Sequence, residues 1–125
     1  MIERIFDNLQ AGQPVWRMNW SIYPDDALFH GDEAGEVKRS GALEESFLRV
    51  EFQTLRKLER SGDILFTIRI GLDPASIILR HPERARLAAG LRDLILRLDE
   101  AELAYKGMTA IRAQLLAQLD AIAPR

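Results

Sequence analysis

The sequence predicts an α+β fold: a three-stranded antiparallel meander with a short N-terminal helix and two or three C-terminal helices. Three observations carry this reading. Residues 48–70 form two period-2 segments joined by a Ser61-Gly62-Asp63 turn, the pattern of a β-hairpin. Residues 15–22 alternate in the same way, with Trp16, Met18, Trp20 and Ile22 set against Arg17, Asn19 and Ser21. Beyond Asp73 the apolar spacing changes to the three-and-four rhythm of helices.

Met1–Gln10 reads as an amphipathic helix, with Ile2, Ile5, Phe6 and Leu9 on one stripe and Gly12 just past its end. Strands are expected around 15–22, 47–58 and 63–71, in sequential order. In the first segment of the hairpin Arg49, Glu51 and Gln53 share one side, while Leu48, Val50 and Phe52 share the other. In the second, Ile64, Phe66, Ile68 and Ile70 line one side, with Leu65, Thr67 and Arg69 opposite. If the polar sides coincide, one sheet face carries Arg17, Asn19, Ser21, Arg49, Glu51, Gln53, Thr67 and Arg69. Trp16, Trp20, Val50, Phe52, Phe66 and Ile68 then pack beneath the helices. On that arrangement Phe66→Ala costs ~3–5 kcal/mol, and Arg49→Ala much less.

Residues 23–46 read as a long loop, with a helical turn around Asp26–Phe29. Asp73 and Pro74 suit the cap and first position of a short helix reaching about Arg80. His81-Pro82 breaks it, and Pro82 opens a second helix to about Leu98 with Leu87, Leu91, Leu94, Ile95 and Leu98 as its stripe. Asp99 and Glu102 have capping-box spacing. The last helix runs from there to about Ile122, with Met108, Ile111, Leu115 and Leu119 inward and Gly107 weakening its middle.

With 125 residues and 14.2 kDa, a single domain is expected, its sheet part in 1–73 and its helical part in 74–125. A net charge of −2 argues against general binding to nucleic acid or anionic membrane. The absence of cysteine excludes disulfides, thiolate metal sites and Cys nucleophiles within the chain. No apolar run is long enough for a bilayer, and the N-terminal residues lack signal-peptide organisation. The expected compartment is therefore the cytoplasm. The acidic run Asp25, Asp26, His30, Asp32, Glu33 has no calcium-loop spacing and reads as solvated loop.

Two stretches are similar to a known family. Val15-Trp16-Arg17-Met18-Asn19-Trp20-Ser21-Ile22 resembles an Arg-x-Asn-Trp-Ser strand. Residues 48–69 resemble the longer run Leu-Arg-x-Glu-Arg-Gln-Thr-Leu-Arg-Arg-Leu-Pro-x-Ser-Gly-x-Ile-Leu-Phe-x-Ile-Arg. Both belong to the haem-dependent oxidative N-demethylases. The likeness covers about residues 15–73, with a weaker echo at Tyr105-Lys106-Gly107, and resembles the C-terminal portion of that design. It departs from the pattern at Phe52, Glu59 and Gly71, where the family tends towards Arg, Pro and Tyr.

The resemblance implies a PAS-like sheet, haem as cofactor, a small amine as substrate and a flavin and iron–sulfur reductase as electron donor. In a complete sheet of that kind the strand at 63–71 is internal, so here Ile64–Ile70 would present an apolar edge with few charges. Association is therefore expected, as a homo-oligomer or with a partner subunit, with covering by the N-terminal helix or the 23–46 loop as the competing solution. Arginine suits bidentate carboxylate binding, so Arg17, Asn19, Arg49, Glu51, Gln53 and Arg69 are the residues expected to contact a haem through its propionates. The same residues could instead form cross-strand ion pairs on a wet face. No catalytic residue is identified. The family's proximal histidine is expected in a His-x-Pro-Val-Pro-like context upstream of the first strand, and neither His30 nor His81 matches it; His81, before a proline at a helix junction, reads as a cap. Two functions stay open: part of a haem monooxygenase completed by elements on another polypeptide, or a non-catalytic ligand-binding or interaction module on half of a PAS-like scaffold.

Overall fold

The computed structural model describes residues 7–29 and 40–123. Three strands, β1 (Val15–Tyr23), β2 (Phe47–Lys57) and β3 (Ile64–Pro74), form an antiparallel sheet in the order β1-β2-β3. Four helices follow: α1 (Ile77–Arg80), α2 (Arg84–Leu96), α3 (Glu100–Tyr105) and α4 (Arg112–Ile122). The α+β meander read from the sequence is therefore the observed architecture. The expected N-terminal helix falls largely outside the described residues, with Asp7 and Asn8 helical. Just beyond, Gly12 takes a φ of 81°, a conformation that only glycine adopts without steric cost.

The chain divides into two compact units. One comprises residues 1–20 and 50–71, the other 21–49 and 72–125.

In the first unit, the hairpin register is fixed by its turn. The Leu58 amide donates to the Asp63 carbonyl at 2.8 Å, so residues 59–62 form the loop and opposed residues sum to 121. The Thr54–Thr67 hydroxyl contact obeys the same sum. An odd sum pairs even residues of β2 with odd residues of β3: Phe52 faces Arg69, and Gln53 faces Ile68. This corrects the expected common polar face. Alternation sets the two sides of each strand, but turn length sets the phase between strands, and here the hairpin strands are out of phase. Arg69 and Thr67 lie on the side of Phe52 and Thr54, away from Arg17, Glu51 and Gln53.

The burial expected for the apolar side chains Trp16, Phe52, Phe66 and Ile68 is also corrected. Trp16 is 63% exposed, Phe66 49% and Ile68 47%, with Phe52 exposed as well. Trp16 lies against Phe52, ring centroids 5.3 Å apart, on the open surface. Among the core residues, all but Leu9 belong to the other unit.

That second unit is built around α2 and α4, which pack chiefly on each other. Ala88, Leu91 and Ile95 meet a core that includes Met108, Ile111, Leu115 and Leu119. The stripe expected on α2 is narrower than predicted, since Leu87 and Leu94 are exposed. Two helix boundaries also differ. The Ala75 amide donates to the Ser46 carbonyl, which keeps the backbone extended through Pro74, so no helix opens at Asp73. The capping box forms as expected: the Asp99 carboxylate accepts from the Glu102 amide at 2.7 Å and the Glu102 carboxylate accepts from the Asp99 amide at 3.3 Å. That helix stops at Tyr105, however, because Gly107 has a φ of 66° and ends it rather than weakening it. The connecting segment is sutured to α4. Gln118 accepts from the Leu43 amide at 3.0 Å and donates to the Gly41 carbonyl at 2.7 Å. The helical turn expected at 26–29 is absent; the Asp25 carboxylate caps the Ala27 amide in an Asx turn instead.

Candidate functional site

Within the sheet unit, the polar side of β1 and β2 converges on Gln53. This side chain is only 6% exposed, and a buried amide needs both its donor and its acceptor satisfied. Arg17 Nε donates to Gln53 Oε1 at 2.6 Å, and Gln53 Nε2 donates to Glu51 Oε2 at 2.8 Å. The amide is thereby oriented without ambiguity: its oxygen meets the cation and its nitrogen meets the carboxylate. The relay holds Arg17 by Nε while its two terminal amino groups make no hydrogen bond among the described residues. Arg17 is exposed. A guanidinium fixed at one edge and open at the other is a preorganised receptor for a carboxylate. Asn19, two residues along β1, is half-buried on the same side.

Arg69 does not join this group. It stands opposite Phe52 and points from the other face of the sheet, where it is exposed. A single ligand cannot be held by Arg17 and Arg69 together.

Arg49 has a different task in the second unit. Its side chain is buried, at 9% exposure. Both terminal nitrogens donate to the Leu28 carbonyl and one also to the Ala27 carbonyl, all at 3.3 Å. The guanidinium carbon sits 5.2 Å from the Tyr23 ring centroid, within cation–π range. Arg49 therefore fastens the segment after β1. Tyr23 is a partner that the sequence reading missed; its only signal was an aromatic residue in register at the strand's end, before Pro24.

The hairpin tip carries a further feature not anticipated: an open cleft of about 410 Å³ lined by Gly12, Arg56, Lys57, Leu58, Glu59, Arg60 and Ser61. Of the two histidines, His30 lies outside the described residues. His81 accepts the Glu83 amide on Nδ1 at 3.0 Å, the capping role its position before Pro82 suggested. Tyr105, at the weaker family echo, is 87% exposed. Among the described residues no group of three His, Cys, Asp or Glu is placed to hold a metal ion, and Asp32 and Glu33 of the acidic run lie outside them. No helix among the described residues is long and apolar enough to cross a membrane.

The donor set beside Arg17 fits the acidic edge of a cofactor such as a haem propionate. It does not include an imidazole, so the ligand to a haem iron is not among these residues.

Comparison with protein families gives a match over residues 1–116 to the haem-dependent oxidative N-demethylase, alpha subunit-like family. The match spans most of the chain, including all three strands and α1 to α3, and the chain belongs to this family.

Proposed function

We propose that this family member serves as part of a haem-binding, PAS-like subunit, and that its Arg17–Gln53–Glu51 relay holds one propionate. The observation that carries the reading is the buried Gln53, bonded on one side to Arg17 and on the other to Glu51, inside the stretch matched by the family. Burying a polar amide is costly unless it is hydrogen-bonded, and both ends of this one are. Here it presents the open edge of a guanidinium at a fixed place.

Haem, when bound, supplies redox chemistry suited to oxidative demethylation of a small amine, with electrons from a reductase. The chain's own residues do the positioning. Arg17 offers paired N–H donors to a carboxylate, Gln53 fixes the Arg17 side chain, and Glu51 fixes the amide and balances the charge. Asn19 supplies a further polar group beside them. Arg49 supports this reading only indirectly, by holding residues 27–28 in its own unit, and Arg69 is removed from the proposed contacts. The ligand to a haem iron and the rest of the pocket would come from outside this relay, as in the reading of a subunit completed by elements on another polypeptide. The functional setting is the cytoplasm, and the "alpha subunit-like" family name supports a partner subunit.

A second reading is favoured by the exposed apolar side chains Trp16, Met18 and Phe52: an interaction module on the same scaffold without catalysis. Haemin titration followed by absorption spectroscopy separates the two, with the chain alone and with the product of a neighbouring gene. The haem reading predicts a saturable Soret band that Arg17→Ala weakens about tenfold, the loss of one charge-assisted bidentate contact. The free-haemin spectrum in both samples would leave the interaction module.

A further inference from the structure

Among the described residues no strand pairs with the outer edge of β3, and the register of that edge states what can pair with it. The bond from Leu58 to the Asp63 carbonyl and that from Ala75 to the Ser46 carbonyl fix the odd-numbered residues of β3 as those bonded to β2. Ile64, Phe66, Ile68 and Ile70 therefore direct their N–H and C=O groups away from β2. β3 is terminal in the sheet, and Ile64, Leu65, Phe66 and Ile68 are exposed. Protected edges carry lysines, prolines or bulges. From Ile64 to Ile68 this one has no charge, no proline and no glycine.

We propose that two copies of this chain pair antiparallel through β3, on a two-fold axis at Phe66. This inference is independent of haem binding. Two-fold pairing requires that the edge be complementary to itself. Centred on Phe66, residues on the two strands sum to 132. Phe66 then meets the partner's Phe66, and Ile64 meets the partner's Ile68, so one face of the junction is wholly apolar. On the other face Leu65 meets the partner's Thr67, and Arg69 meets the partner's Asp63. Both charged residues are exposed in the single chain, and each acquires an opposite charge, twice over by symmetry. Moving the axis to Thr67 keeps hydrogen-bonding parity but sets Arg69 against the partner's Leu65. Charge complementarity therefore selects the Phe66 axis and selects a second copy over an unrelated strand.

Sedimentation velocity of the full chain across a concentration series tests this. The expected result is a monomer–dimer equilibrium. Ile68→Pro removes an outward N–H that β2 does not use, so far-UV circular dichroism should stay unchanged while the dimer dissociation constant rises at least ~tenfold, two edge hydrogen bonds being lost per dimer. Asp63→Arg and Arg69→Asp should each weaken the dimer about fivefold, and the double variant should restore it. A monomer at every concentration, including one that associates only with another protein, would overturn the proposal. So would a dimer indifferent to Ile68→Pro, or single charge reversals that the double variant does not rescue.

Discussion

Gln53 is where polarity, burial and charge meet in the sheet unit. It accepts from Arg17 and donates to Glu51, so Gln53→Leu keeps the approximate volume and breaks both bonds. We expect it to cost about 1–3 kcal/mol, the range for losing hydrogen bonds to charged groups, measured by chemical denaturation. Phe66→Ala gives the contrasting case. At 49% exposure it should cost well under the ~3–5 kcal/mol of a core aromatic when measured at concentrations where the chain is monomeric. Arg49 reverses the sequence-based expectation in the other direction. Its buried fork bonds two carbonyls and stacks near Tyr23, so Arg49→Lys should lose about 1–3 kcal/mol although the charge is kept. These residues show how much of the site was legible. Glu51 and Gln53 could be grouped because alternation places them on one side of β2; that Arg17 joins them depends on the β1–β2 register, which the Arg17–Gln53 bond shows. Arg69 could not, because its side depends on where the hairpin turns. The role of Arg49 depends on carbonyls of residues 27–28, which no sequence pattern announces.

At the scale of elements, α4 and the segment before β2 form the best-defined junction. Gly41 has a φ of 75°, and an added Cβ would stand 2.9 Å from Gln114 Oε1 and 3.1 Å from Ile111 Cβ. Gly41→Ala should therefore destabilise by about 1–3 kcal/mol, from backbone strain and the displaced glutamine together. Leu115 is fully buried in α4, and Leu115→Ala should cost ~2–5 kcal/mol; thermal unfolding would rank the two. The helices show which signals in a sequence are reliable. The inward set Met108, Ile111, Leu115 and Leu119 and the capping box at Asp99 follow from local spacing and were readable directly. The end of β3 was not. Asp73-Pro74 is a good helix start by composition, but the Ala75–Ser46 bond holds the chain extended, a non-local pairing that outweighs local preference. Gly107 reads from sequence as a weak point within one helix; its positive φ makes it a terminator, a distinction that depends on backbone conformation.

For the whole molecule, the decisive fact is where the apolar surface goes. The second unit buries Ile22, Leu43, Ile95, Met108, Leu115 and Leu119 almost completely, whereas the sheet unit leaves Trp16, Met18, Leu65, Phe66 and Ile68 open. Exposed apolar side chains gathered in so small a unit mark an interaction surface. The proposed haem pocket and the proposed β3 dimer address different parts of it: the first lies at Arg17 on the β1 side, the second along the outer edge of β3. The haem assignment is the central one, and the absorption spectrum tests it most directly. Haemin is titrated into the chain, alone and with the neighbouring-gene product, for the natural sequence and for Arg17→Ala. The propionate role of Arg17 predicts a saturable Soret band with the natural sequence and about tenfold weaker binding in the variant, with the secondary structure unchanged. Equal binding by both proteins, or the spectrum of free haemin in every sample, would contradict it.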